Sequence, residues 1–245
     1  MDPILAGSPL LLAAVLSIVF VAAIVQAGLG MGFGLAAAPL LALLDSALVP
    51  APVLILGFAS SLWVAVQAPP LIRWAEVWIG TAGRVTGVAL ATAFLVAASD
   101  PRAFSLAFAA MIGIAVALSA AGWRLGFSRP KLVALSTLSG LMGTLTSVGA
   151  PPLALIYKER PPREARATLA AFFTLGCTAS LAGLWGAGRL GWGDLGLAAL
   201  MAPAMVAGLW TAGRFSGAFD RRYRGLMLAA SALAAVLLTV RALWG

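Results

Sequence analysis

The sequence predicts an all-α integral membrane protein built as two inverted repeats, each a broken helix or re-entrant hairpin followed by three transmembrane helices. Three observations predict it: an apolar composition, two glycine- and proline-broken segments in corresponding places, and basic residues gathered on one side. The 245 residues are 62% hydrophobic and 10% charged, with a mean hydropathy of +1.03. Charge-free stretches near or above eighteen residues recur along the chain, the length needed to cross a hydrocarbon core of about 30 Å. A soluble domain is excluded. One membrane domain is expected, with repeat one at 1–122, a linker at 123–130 and repeat two at 131–245.

The apolar segments run 9–44, 51–66, 77–98, 103–122, 132–157, 167–188, 195–212 and 225–240. Asp2 precedes the first without a basic flank, so a cleaved signal peptide is not expected and the segment should be retained. As a straight helix that first segment would be about 52 Å long, too much for one crossing. It must bend or fold back at Gly28 to Gly34. The next three segments are plain crossings. Trp74 and Trp78, and later Trp185 and Trp192, flank crossing ends, where indole prefers the interface. Asp100-Pro101 and Ser128-Arg129-Pro130 mark loops, the second being the linker between halves.

The fifth segment contains SGLMGTLTSVGAPP from Ser139 to Pro152. Gly140, Gly143 and Gly149 strip the backbone of cover, Pro151 and Pro152 lack amide donors, and Ala150 is pushed from the α region. Such backbone survives at membrane depth only where protein or a wet cavity faces it. A helix of this segment would be about 39 Å long, so a tilted crossing competes with a hairpin. A shift of 112 positions lays Gly28-Leu29 on Gly140-Leu141, Ala38-Pro39 on Ala150-Pro151 and Leu41-Ala42-Leu43 on Leu153-Ala154-Leu155. We read an internal duplication, and broken segments at matching places in two halves point to a transporter's binding site.

The basic residues test the hairpins. If all eight segments simply cross, Lys and Arg divide six against nine. If both broken segments return to the side they came from, Arg73, Arg124, Arg129, Lys131, the Lys158 to Arg166 cluster and the Arg214 to Arg224 cluster share one side. Arg102, Arg189 and Arg241 remain opposite, twelve against three, as expected of a cytoplasmic face. The second half then enters from the opposite side. The repeats become inverted.

Two half-helices starting within the membrane would present amides and partial positive charge, a ready anion site. Thr144, Thr146 and Ser147 add hydroxyls in the second break, Gln26, Ser60 and Ser61 offer polar groups in the first half, and Thr174, Cys177 and Thr178 share a helix face. The competing account is close helix packing, because Gly28/Gly32 and Gly30/Gly34 satisfy GxxxG. Arg84 lies some seven residues inside the third segment. Snorkelling to the cytoplasmic edge is the simpler account, anion attraction the alternative.

Other classes lack their residues. The net charge of +8 sits in connections between apolar runs, where topology explains it better than nucleic acid. With no histidine and one cysteine, Cys177, neither a soft metal site nor an intramolecular disulfide is expected. No cofactor is implied. An enzyme would need a nucleophile with a base, or a metal cluster, and a non-transporting scaffold would use the glycines for packing alone.

GLGMGFGLAAAPLLAL and SGLMGTLTSVGAPPLALIY resemble the two signature segments of the sulfite exporter TauE/SafE family. The resemblance covers essentially the whole chain. It implies a multi-pass permease of the bacterial cytoplasmic (inner) membrane, in contact with the lipid bilayer, for small sulfur-containing anions such as sulfite, sulfoacetate or other organosulfonates. Matching positions are Gly28, Gly30, Gly32, Gly34 and Pro39, then Gly140, Gly143, Gly149, Pro151 and Pro152. The chain departs from the family pattern at Thr146-Ser147-Val148-Gly149-Ala150, where a glycine run is common, and hydroxyls there would replace backbone contacts.

Direction follows from charge. An inside-negative potential drives an anion outward by about 2.3 kcal/mol per charge per 100 mV, so export can run uncoupled. Asp45, Glu76, Asp100, Glu159, Glu164, Asp194 and Asp220 all sit at segment ends or in loops, and the usual carboxylate relay for coupling is missing. Uniport export is expected. The alternative is ion-coupled uptake of an organic anion such as an aromatic sulfonate, with Phe172 and Phe173 serving its ring.

Overall fold

The computed structural model describes residues 8–97, 101–120 and 125–213, with the side chains of 101–105 excepted. The segment 225–240, Asp100, Arg124, Arg241, the Arg214 to Arg224 cluster and the Arg102 side chain lie outside the described residues. All regular structure among the described residues is helical: α1 Pro9–Leu29, α2 Phe33–Leu44, α3 Ala51–Ala65, α4 Trp74–Ala97, α5 Pro101–Ala120, α6 Arg129–Thr146, α7 Ala150–Tyr157, α8 Pro162–Gly186 and α9 Trp192–Ala212. Single 3-10 turns occupy Ser46–Leu48 and Pro69–Leu71. Among the described residues five stretches are long and apolar enough to cross a membrane, namely α1, Ser46–Ala65, α4, α8 and α9. The protein is a multi-pass membrane protein.

Helices begin before the apolar windows do, because hydropathy marks hydrocarbon and not helix. The first turns of α4 and α8 carry Glu76 and Glu164, which suit the positive end of a helix dipole. Ser8 and Ser128 cap α1 and α6 by accepting the N–H groups of Leu11 and Lys131, each followed by proline within the first two positions.

Both long segments break, and the breaks are built alike. α1 stops at Gly30 in the left-handed region (φ 70°), whose N–H donates to the Gln26 carbonyl at 2.8 Å. α6 stops at Ser147, also left-handed (φ 64°), whose N–H donates to the Gly143 carbonyl at 2.8 Å. This is an αL cap in each case. The two caps correspond in a different register from the sequence match. Leu29 with Thr146, Gly30 with Ser147, Gly32 with Gly149 and Phe33 with Ala150 all differ by 117 positions, not 112. The prolines misled the alignment. Pro39 stands inside α2, whereas Pro151 and Pro152 occupy the first turn of α7.

The second broken segment turns back on itself. The Leu125 N–H, just before α6, donates to the Leu155 carbonyl in α7 at 3.0 Å, and the Phe127 and Tyr157 rings meet edge to face. Tyr157 and Arg160 both bind Glu76 at the start of α4, and Arg73 pairs with Glu164 at the start of α8 at 2.6 Å. The Glu164 carboxylate holds the Arg73 guanidinium above its usual range, by hydrogen bond and charge. The starts of α4, α6 and α8 and the end of α7 therefore share one end, with Arg129, Lys131, Lys158 and Arg163 alongside. At the other end Ala47, Val49, Pro50, Leu95, Leu184, Arg189, Asp194 and Leu197 surround a cavity of about 320 Å³.

Packing is closest where side chains are smallest. α4 lies against α6, with Gly83 and Gly87 facing the backbone at Val133 and Thr137, and the Thr137 hydroxyl donates across to the Gly83 carbonyl at 3.0 Å. α1 lies against α9, where Gly208 faces the Phe20 carbonyl. A missing Cβ is what permits such approach between membrane helices. α3 and α8 pack against each other between these two pairs, and α1, α2, α6 and α9 share an apolar core through Val15, Val19, Leu41, Met142 and Met201.

Candidate functional site

The tips of the two broken helices meet inside the protein. Gly34, at the start of α2, abuts the Ser147 carbonyl so closely that a Cβ has no room. Polar side chains satisfy the backbone that the breaks release. Gln26 accepts the Phe33 N–H at 3.1 Å and donates to the Ser61 hydroxyl on α3 at 2.9 Å. The Thr146 hydroxyl accepts the Val148 N–H at 3.1 Å, and the Ser147 hydroxyl donates to the Pro50 carbonyl at 2.8 Å. Ser139 reaches from α6 and donates to the Gly149 carbonyl at 2.6 Å.

Between the tips lies a cavity of about 30 Å³ lined by Gln26, Gly32, Phe33, Gly34, Ser61, Arg84, Ser147, Gly149, Ala150, Phe173 and Cys177, with Leu35, Val53, Leu54 and Gly57 completing the wall. It has room for roughly two water-sized groups, since one needs about 10–15 Å³. Arg84 supplies its charge. The residue is only 1% exposed, so the snorkelling expectation is overturned: the side chain turns inward between helices and never reaches the edge. Room for the turn comes from residues without side chains, because a Cβ on Gly143 or Gly149 would stand 2.9 Å or 3.0 Å from a guanidinium nitrogen, and one on Gly176 would collide with Nε.

The guanidinium is under-partnered. Its Nη1 donates to the Ser139 hydroxyl at 2.9 Å, the Phe172 and Phe173 rings face it at 5.4 Å and 5.1 Å, and Nε has no partner among the described residues. No carboxylate among the described residues pairs with it; Glu164 and Glu76 pair with Arg73 and Arg160 at the basic end instead. A buried charge without a counter-charge is costly. A small anion in the cavity would remove that cost, and the ring faces supply cation–π attraction meanwhile.

The other candidates distribute as follows. Gly32, Gly34, Ser147 and Gly149 line the cavity with Arg84. Gly143 stands behind the guanidinium and Gly140 against the Arg84 backbone, Gly30 abuts the backbone of Arg166, and Gly28 is exposed with open space around it. The Thr144 hydroxyl is spent on the Gly140 carbonyl and Ser180, and Pro39, Pro151 and Pro152 are buried in their helices. Thr174 and Thr178 donate to carbonyls of their own helix, whereas Cys177 faces the cavity. Gly176, which makes room for Arg84, escaped the sequence reading. Its signal was weak: one glycine beside Phe172-Phe173 in a helix with several.

A family model described as Sulfite exporter TauE/SafE matches residues 15–238 of the chain. No curated protein and no solved structure matches it.

Proposed function

This chain belongs to the sulfite exporter TauE/SafE family, and from that membership we propose that it exports small sulfur-containing anions, sulfite or a small organosulfonate, across the cytoplasmic membrane of a bacterium. The observation that carries the reading is Arg84, a buried cation lacking a described carboxylate partner in a cavity between two helix breaks. The site is proposed to comprise Arg84 with Gly32, Gly34, Ser147 and Gly149, and the remaining glycines and prolines of both breaks shape it.

Alternating access of two inverted repeats, 1–122 and 131–245, is the proposed mechanism. Exchange of α1 with α6, α2 with α7, α3 with α8 and α4 with α9 turns the α4/α6 contact into α9/α1 and leaves α3/α8 in place, which supports the repeat. The fold-back of α7 onto the start of α6 supports the hairpin plan, as does the contact of the α1 tip with Arg166 near the basic end. Sites between such halves serve both membrane faces in turn. The cavity of about 30 Å³ favours a compact oxyanion over an aromatic sulfonate, and Phe172 and Phe173 are committed to Arg84.

The test is flux of labelled sulfite in proteoliposomes with an imposed potential and no ion gradient. Wild type should carry sulfite electrogenically. Arg84→Gln should weaken apparent affinity about ten- to a hundredfold, the equivalent of the ~1.5–3 kcal/mol of a hydrogen bond to a charged group, and Gly149→Leu should abolish flux by filling the cavity. Flux appearing only with a sodium or proton gradient would instead establish coupled transport.

A further inference from the structure

We propose that the species this site carries is a monoanion, so that hydrogensulfite and not sulfite is the transported form. The inference rests on the cavity being the anion site. Among the described residues, the groups facing the Arg84 guanidinium are few. α6 contributes the Ser139 hydroxyl, α8 contributes Phe172, Phe173 and the Cys177 thiol, and the glycines at 143, 149 and 176 contribute no side chain. α1 and α3 add the neutral Gln26 amide and Ser61 hydroxyl to the wall. Among the described residues Cys177 is the one titratable neighbour, and neither a second cation nor a carboxylate lines the cavity.

The partial positive charges at the starts of α2 and α7 are offset by the partial negative ends of α1 and α6 at the same two breaks, so the guanidinium is the one full charge there, and one negative charge neutralises it. A dianion would leave an uncompensated negative charge buried between apolar helices, and burying net charge is heavily penalised. The apolar walls from Phe33, Val53, Leu54 and Phe173 cannot compensate it. Among the described residues the guanidinium is hydrogen-bonded through Nη1 alone, to Ser139, which leaves donor capacity for an oxygen of the ligand. Sulfite and hydrogensulfite interconvert near neutral pH, so the preference is observable.

Labelled sulfite flux into proteoliposomes would be measured on both sides of neutrality, with passive leak of sulfur dioxide subtracted using protein-free vesicles. Nitrate, a monoanion at every pH used, and sulfate, a dianion at every pH used, would serve as competitors. The expected result is flux at limiting total sulfite falling about tenfold per pH unit once hydrogensulfite is the minor species, with nitrate inhibiting equally throughout and sulfate far less. Flux that is flat or rises with pH, or inhibition by sulfate equal to that by nitrate, would overturn the inference while leaving sulfite transport standing. Nitrate inhibition that weakens in parallel with flux would assign the titration to the protein, Cys177 foremost, and would also overturn it. Absence of sulfite flux at every pH would sink the transport reading itself.

Discussion

Ser139 holds both halves of the cavity's chemistry. Its hydroxyl donates to the Gly149 carbonyl at the second break and accepts from Arg84, so one oxygen orients both the cation and the bend. In Ser139→Ala the buried carbonyl and the guanidinium each lose a partner. The expected cost is about 1–3 kcal/mol of stability, read as a lowered melting temperature in detergent, together with a raised KM for anion flux. Arg84 itself was visible in the sequence as an intramembrane cation, but its direction was not. A position seven residues into an apolar segment suits snorkelling equally well; what turned the side chain inward is space left by Gly143 of α6, Gly149 of the second break and Gly176 of α8.

At the scale of the element, the two broken helices make the sharpest claim. The α6–α7 segment begins and ends at the basic end, because Leu125 bonds to Leu155 and Tyr157 bonds to Glu76. On a Cys177→Ala background, single cysteines at the exposed positions Arg129 and Glu159 should react with a membrane-impermeant thiol reagent from the same side. Pro9 and Ser46, which bracket α1 and α2 and are also exposed, should react together from the opposite side. Arg129 and Glu159 labelling from different sides would replace the hairpin by a tilted crossing. The sequence identified both breaks from their glycines and prolines. It misplaced their correspondence by five residues, the difference between 112 and 117, because a helix ends where the chain adopts the αL cap, and Ser147 does so without being glycine.

Across the whole molecule, the basic end is where side chains cross-link the helices. At the basic end Arg160 and Tyr157 converge on Glu76, Arg160 also lies over the Phe127 ring at 4.3 Å, and Arg73 grips Glu164. These contacts tie the mouth of the second hairpin to α4, and α4 in turn to α8. Glu76→Gln should loosen that tie and raise the labelling rate of Cys177, the chain's single cysteine, from the basic side by about 1.4- to fivefold, the equivalent of the ~0.2–1 kcal/mol of a partly exposed pair. An unchanged rate would leave these pairs without a role in access. The sequence by itself determined the membrane class, the two broken segments and the absence of acids deep in the apolar segments, because composition and spacing along the chain carry those. Only the tertiary structure decided that the two breaks meet tip to tip, and that Arg84 stands between them. Those depend on which small residues of one helix fall opposite which residues of another, a relation between distant segments that no local periodicity records.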